Sequence, residues 1–400
     1  MSSRLFSMLL GTLFLTTLSS AETVERGGHV KYQFSYLDEA ENDIPLLDSA
    51  GSEGSHGVDF RLKTEEQFEA LRFALHYELL ALRPVRLQAE PYNDQVAILD
   101  LSSDIGEDDE ISARNRIDRL WANYATESFV VRAGRDAITW GNGLTFQVLD
   151  LYNPFGITEI DKDYKTGQDL LYAQWLYSSG ADTQLLIVPR RDVATNSIES
   201  NSSSYAVKHR FRYARVDIDL LGSMHYDEKV FGGGVAVSAA EAVFRLDLSV
   251  VDLADGDQVM SLVSNIDRSW IFFGKNMYGF IEYFFNGLGE TPERYTSLER
   301  DLATRLVRGE LFTIGRNYLT VGLRLELTPL LNLYQNTIHN LQDESGFYQL
   351  RFAYDITENA LLLSGFNLAF GPSDSEFKGS ADAGVITRRD SAYIRVSYYF

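Results

Sequence analysis

The chain has 400 residues, with 57 acidic against 36 basic side chains and a formal net charge of −21, an excess of acid that disfavours nucleic acid as a partner. It holds 22 Tyr and 24 Phe but no Cys, which excludes disulfides and thiolate metal sites. Beyond the amino terminus, no stretch approaches the roughly 20 consecutive apolar residues of a membrane helix.

Arg4 precedes an apolar run from Leu5 to Leu18 and then Ser19-Ser20-Ala21, the pattern of a secretory signal peptide over 1–21, cleaved before Glu22. Val30, Tyr32, Phe34 and Tyr36 next alternate with Lys31, Gln33 and Ser35, giving a first strand. It begins so close behind the cleavage site that an amino-terminal plug is not expected. An acidic segment, 38–56, leads to a second strand with Val58, Phe60 and Leu62. A third carries Leu71, Phe73, Leu75, Tyr77 and Leu79. Phe68, Leu71, Leu75 and Leu79 also fit helical spacing, but the uniform alternation favours the strand. The segment 81–114 is polar, and its acid run from Asp104 to Glu110 lacks an EF-hand register. Such a run can bind Ca²⁺ or bridge lipopolysaccharide through divalent ions, yet it reads more simply as a solvated loop.

Hairpins follow over 115–125 with 129–138, 168–178 with 182–190, 204–210 with 215–226, 229–238 with 241–251 and 258–270 with 276–286. Gly274-Lys275-Asn276 is expected to turn the last of these. The remainder reads as strands over 311–328, 331–341, 346–355, 360–370 and 390–400. In the final one, Ala392, Ile394, Val396, Tyr398 and Phe400 share one face and Tyr393, Arg395, Ser397 and Tyr399 the other. The fold class is therefore all-β, a transmembrane antiparallel β-barrel of about eighteen strands filling 22–400. Sixteen would result if 58–79 were not a hairpin.

Counting back from Phe400 with both termini in the periplasm sorts the connections by length. Those near 65–67, 126–128, 179–181, 211–214, 239–240, 272–275, 329–330 and 356–359 fall inside and are short. The long ones, 38–56, 81–114, 139–167, 191–203, 287–310 and 371–389, fall outside. Short periplasmic turns and long external loops are the asymmetry of such barrels.

If the apolar alternates face lipid, the polar ones line a lumen. That assigns inward Arg132, Asp217, Asp219, His225, Arg245, Asp247, Asp267, Glu282, Arg324, Glu326, Arg351 and Arg395. Facing outward at mid-depth, a basic residue would cost about 2–4 kcal/mol. Mixed signs define no single-sign selectivity ring, so a solute-selecting conduit and a salt-bridged supporting interior both fit. The segment 139–167 is too apolar for an ordinary external loop, with Trp140, Leu144, Phe146, Val148, Leu149, Leu151, Tyr152 and Phe155. It is expected to fold into the lumen as a constriction or to cap the mouth. Arg135, Trp140, Asp150, Asn153, Pro154, Phe155, Asp161, Lys162 and Lys165 are its candidate functional residues. None of the six His residues sits in a recognisable catalytic pattern; His225 beside Asp219 and Ser223 comes closest. No enzyme, cofactor or metal is expected.

The run GRDAITWGNG, then DLYNPF, then DKDYKTGQDLLY and LLIVPRRD resembles a family of uncharacterised, porin-like Gram-negative outer-membrane β-barrels. The resemblance is sharpest over 134–192. It implies the outer membrane and passage of a small or lipidic solute. The closing strand, with Tyr398 and Phe400, resembles the signal read by the barrel-assembly machinery. Expected partners are therefore that machinery, outer-membrane lipid and lipopolysaccharide. Three functions follow: a porin-like channel with 139–167 as constriction; an outer-membrane component of envelope lipid traffic, served by a periplasmic lipid carrier or inner-membrane transporter; or a structural or adhesion barrel acting through its loops.

Overall fold

The computed structural model describes residues 23–37, 53–83, 92–107, 111–152, 154–157, 163–378 and 390–400. The signal segment lies outside these, as do Asp108, Asp109 and Glu110 of the acid run and all of 379–389. Nineteen strands form one sheet. In chain order they are β1 Thr23–Leu37, β2 Glu53–Phe68, β3 Leu71–Arg83, β4 Ser102–Glu107, β5 Ser112–Ala125, β6 Phe129–Asp136 and β7 Gln168–Leu176. Next come β8 Asp182–Val188, β9 Ser204–Tyr213, β10 Val216–His225, β11 Glu228–Ala239, β12 Ala242–Asp252 and β13 Gln258–Phe272. The last are β14 Lys275–Phe285, β15 Asn317–Thr328, β16 Leu331–Asn340, β17 Gly346–Thr357, β18 Ala360–Phe370 and β19 Ser391–Tyr399. Among the described residues, two short α-helices, α1 Tyr92–Val96 and α2 Arg300–Val307, and a 3-10 turn, Pro292–Arg294, sit in connections.

Each strand pairs antiparallel with its neighbours, and β1 meets β19 to close the ring, with Lys31 opposite Ser397 and Gln33 opposite Arg395. Gly28 and Phe400 exchange backbone hydrogen bonds at 2.8 and 3.1 Å to finish the seam. The short β4 is not a stave. It pairs with the upper end of β5, over Ser112–Arg116, where β6 has already ended at the level of Leu120. Eighteen staves remain, so the sixteen-strand alternative falls, and 71–79 is strand rather than helix.

Side-chain parity follows the pleat. On β10, Leu220 and Met224 face out and are exposed, while Asp219, Ser223 and His225 face in and are buried. Such an outer band suits lipid, and the polar face is kept from it. One register shift, between His76 and Tyr77, leaves Asp118 unpaired in the β3–β5 ladder and turns both Asp118 and Arg119 toward the lumen.

Several boundaries differ from the sequence reading. The β2–β3 turn is at Glu69-Ala70 rather than 65–67, with Glu69 at φ 48°. The β13–β14 turn is Phe273-Gly274, with φ of 47° and 71°, so the turn predicted at Gly274-Lys275-Asn276 sits one residue early. Two positive φ values in a two-residue connection match the right-handed twist of the flanking strands, and the chain accepts them even at Phe273. The strand predicted over 311–328 begins only at Asn317. Before it, Gly315 makes an isolated parallel bridge to Glu290. The segment 81–114 is not plain loop, since it holds α1 and β4.

The apolar core lies inside the barrel. Trp140, Phe146, Val148, Leu149, Tyr152 and Ile157 of the β6–β7 connection pack on inward residues of the wall, among them Leu186, Leu221, Val263, Phe284, Tyr318 and Ile338.

Candidate channel constriction

The staves β6, β7 and β8 have only 8, 9 and 7 residues, so the wall is short where the β6–β7 connection leaves it. The connection turns inward and crosses the lumen along the opposite wall. Trp140 Nε1 donates to Gln184 of β8 at 2.8 Å, and Asn142 Nδ2 donates to Asp247 of β12 at 2.7 Å. Backbone N–H groups of Leu144, Thr145 and Phe146 donate to Glu282 of β14 at 2.6, 2.8 and 2.9 Å. Phe146 then stacks on Phe284, ring centroids 4.4 Å apart, and Tyr152 shares a hydrogen bond with Ser223 of β10. The two wall carboxylates thus satisfy donors that a buried irregular segment could not otherwise pair.

The wall makes room for this at Gly232 and Gly234 of β11. A Cβ on Gly232 would lie 2.5 Å from Leu149, and one on Gly234 would lie 2.5 Å from Asp247 Oδ1. Only hydrogen at these positions lets backbone and loop approach so closely.

The two limbs of the connection are tied to each other by Lys165, whose Nζ donates to Asp150 and to the carbonyl of Ile138. Both side chains are buried. Burial pushes the Asp150 carboxyl up to about 6 and the Lys165 ammonium down, against the pull each exerts on the other. The returning limb is held at the bulge of β5, where Gly167 N–H donates to Asp118 at 3.0 Å and Arg119 reaches the carbonyl of Lys165.

With this segment on the β8–β15 side, a cavity of about 340 Å³ remains on the other. Its polar lining includes Lys31 and Gln33 of β1, Asp59 and Arg61 of β2, Glu78 of β3 and Arg395 of β19. Leu80 and Leu82 form an apolar flank, and Tyr164 and Thr166 close it from the loop. Its charges are networked: Arg61 bridges Glu78 and Asp118, Lys31 binds Asp163 at 2.8 Å, and Arg395 donates to Gln33 at 2.8 Å.

Elsewhere on the wall, Arg132 meets Asp136, Arg212 pairs with Asp217 at 2.7 Å, Lys208 approaches Asp219 at 3.4 Å, and Arg245 pairs with Asp267. Arg324 and Arg351 sit 5.6 and 4.4 Å from the ring centroid of Tyr334. Glu326 accepts from Asn276 at the short-turn end. The twelve lumen candidates all have inward parity. Tyr398 and Phe400 are exposed at the closing strand, Tyr398 on its outer face.

Arg135 departs from its predicted place. It shares the parity of Phe129 and Val131 and faces outward, as does its cross-strand partner Asp169, which it binds at 2.9 Å. The stretch 97–101 covers this pair from outside: Arg135 donates to the carbonyl of Leu99, whose N–H donates to Asp169. An ion pair on the outer wall needs such a cover, and 97–101 supplies it. Pro154 is buried and Phe155 half-buried beside Phe146 and Phe284. Asn153, Asp161 and Lys162 lie outside the described residues.

Other connections also fold over the mouth. In 286–316, Arg305 of α2 binds Glu228 and Glu310, and Glu310 meets His225 Nε2 at 3.0 Å. Burial alone would raise the Glu310 carboxyl, but His225, Arg305 and Arg308 hold it down at about 2. His225 Nδ1 contacts Ser204 Oγ at 2.9 Å, so its partners are Ser204 and Glu310 rather than Asp219 and Ser223. Ser204 and His225 are fully buried and Arg190 also donates to Ser204, so this Ser–His–Glu chain works as a tie between strands and loop. Glu376 accepts from Tyr318, Asn340 and the N–H of Ile314, pinning 371–378 to the same side. Among the described residues, no group of three His or carboxylate side chains is placed to hold a metal ion.

Sequence reasoning passed over the cations of the first staves, although the parity that sets Tyr32 and Leu62 outward sets Lys31 and Arg61 inward. The Gly232-Gly233-Gly234 run was the one local signal of a close approach to the wall.

No family model matches the chain, and no curated protein matches it. Solved structures do. A BenF-like porin from Pseudomonas fluorescens Pf-5 is similar over 96% of this chain and 100% of its own, with a TM-score of 0.55 at 11% identity. OccAB1 of Acinetobacter baumannii covers 95% and 97%, with 0.54 at 7% identity. The outer membrane protein opdK of Pseudomonas aeruginosa covers 94% and 99%, with 0.51 at 10% identity. The likeness is one of fold. With its apolar outer band and its asymmetry of loop lengths, the chain is a bacterial outer-membrane β-barrel.

Proposed function

We propose that the protein is a porin-like channel whose passage is eccentric, running along β19, β1, β2 and β3. The carrying observation is the pinning of 139–157 against the opposite wall, which leaves the lined cavity of about 340 Å³ on the basic side. Asp163 and Asp118 pair with Lys31 and Arg61 from beyond the lining. The lining itself carries three basic side chains, Lys31, Arg61 and Arg395, against two acidic ones, Asp59 and Glu78, which favours a small anion as the solute. Size exclusion comes from the loop and charge selection from the wall.

The purified barrel in a planar bilayer should conduct, and under a KCl gradient its reversal potential should report anion preference. Deleting 144–157 should raise the conductance and weaken that preference. A barrel that is silent both with and without the segment refutes the channel, and a cation-selective one refutes the assignment of the wall.

A further inference from the structure

Stave β16, Leu331–Asn340, has 10 residues, about the length of a tilted strand that crosses the hydrocarbon layer. Its even-numbered residues face the lumen: Tyr334 meets Arg324 and Arg351, and Ile338 packs in the apolar core. Its odd-numbered residues therefore face lipid, and after Leu333 they are Gln335, Thr337 and His339. The staves on either side show what that band ordinarily holds. Leu323 of β15 and Leu350 of β17 stand opposite Gln335, and Val321 and Tyr348 stand opposite Thr337. Gln335 is the fifth residue of the stave and Thr337 the seventh, so both lie in the hydrocarbon rather than at either interface. Gln335 Nε2 donates to Thr337 Oγ1 at 2.7 Å. Among the described residues that is the bond the amide makes. Its carbonyl oxygen and second N–H are left to a medium that neither donates nor accepts.

We infer that this stripe is where a second copy of the chain packs. The pair is a two-fold dimer about an axis along the membrane normal, with the two Gln335 amides opposite each other. Lipids carry their hydrogen-bonding groups near the interface, and Gln335 lies below it. A copy of the same chain, inserted in the same direction, brings a polar group to the same depth by construction. A carboxamide both donates and accepts, so two of them pair head to tail across a two-fold axis. Leu323 and Leu325 of β15 and Leu350 and Phe352 of β17 give the contact its apolar flanks. A head-to-tail ring would instead set the stripe against another part of the wall. Leu246 and Leu248 on the outer face of β12, for example, have nothing to pair with an amide.

The chain has no cysteine, so single cysteines report the contact directly. Gln335→Cys, on the axis, should form a disulfide-linked homodimer when outer-membrane vesicles are oxidised with copper phenanthroline. Leu246→Cys, exposed on the outer face of β12, should not. Energy transfer between full-length barrels labelled at a cysteine added to an outer loop, diluted in lipid vesicles, then gives the dissociation constant. Gln335→Leu should raise it about tenfold, the loss of two hydrogen bonds of the strength found inside membranes. Gln335→Asn, which keeps the amide, should restore most of the affinity. A wild type that does not self-associate, or a dissociation constant unchanged by Gln335→Leu, overturns the inference. So does an equal yield of homodimer from Leu246→Cys, or a crosslink to a different protein in place of the homodimer. Heat-modifiable mobility on a gel checks folding, and Gln335→Met replaces the leucine variant if that fails to assemble.

Discussion

Replacing Asp150 with Asn tests how the constriction is locked. The Asp150 carboxyl is buried against Lys165, and burial pushes it up to about 6 from the ordinary 3.8. Between those two values the folded chain holds a proton that the unfolded chain has lost, so Asp150 makes stability fall as pH rises through that window. Above it Asp150 is ionised and paired with Lys165. At pH 7.5, above that window, the folded chain keeps a carboxylate that burial disfavours by the span from 3.8 to about 6, so a permanently neutral side chain relieves the lock of roughly 3 kcal/mol. As pH falls from 6 to 3.8 the wild type takes up the proton itself and the difference is lost. Single-channel recording should therefore show Asp150→Asn quieter than wild type at pH 7.5, with the two converging near pH 4. Protease nicking of 139–157 in outer-membrane vesicles should follow the same pattern. A difference that persists undiminished near pH 4, or an Asp150→Asn channel noisier than wild type at pH 7.5, refutes the reasoning, because then the attraction of Lys165 outweighs the cost of burying the carboxylate.

Glu282→Gln leaves one acceptor where a carboxylate served three backbone N–H groups and Asn265. Losing buried hydrogen bonds of this kind costs about 1–3 kcal/mol each, so a loosened segment and a larger, less stable current are expected in bilayer recordings. Gly234→Ala puts a Cβ 2.5 Å from Asp247 Oδ1 and 2.8 Å from Asn142 Nδ2. About 1–3 kcal/mol of overpacking falls on that contact, and the expected result is faster proteolysis of the loop with an intact barrel by gel mobility. Ile281, about half exposed on the outer face of β14, tests the parity. Ile281→Arg should cost about 2–4 kcal/mol in urea unfolding from lipid vesicles, whereas arginine at the lumen-facing Ala353 should cost far less.

The barrel was legible in the sequence because lipid and lumen impose opposite demands on alternate residues. Leu319, Val321, Leu323 and Leu325 on one face against Thr320, Arg324 and Glu326 on the other state the period without any partner strand. The same parity fixed the side of every lumen charge named in advance, and loop length fixed which end faces outward. Exact turn positions were less legible, since Phe273 and Glu69 take left-handed φ values that their residue types do not announce.

The apolar run of 139–157 showed that the segment must be buried and favoured the lumen, but it left an external cap open. Which wall receives it depends on Asp247 and Glu282 standing opposite β6, and on β11 lacking side chains at Gly232 and Gly234. Those are distances across a closed ring, between residues about a hundred positions apart in the chain. Arg135 shows the same limit: its spacing placed it with the constriction, and the outward face of β6 with the drape of 97–101 placed it elsewhere. The pleat is local, so the sequence by itself determined the staves and their faces. Contacts across the lumen are set by ring closure and shear, so only the tertiary structure decided where the passage lies and that Tyr164 stands in it.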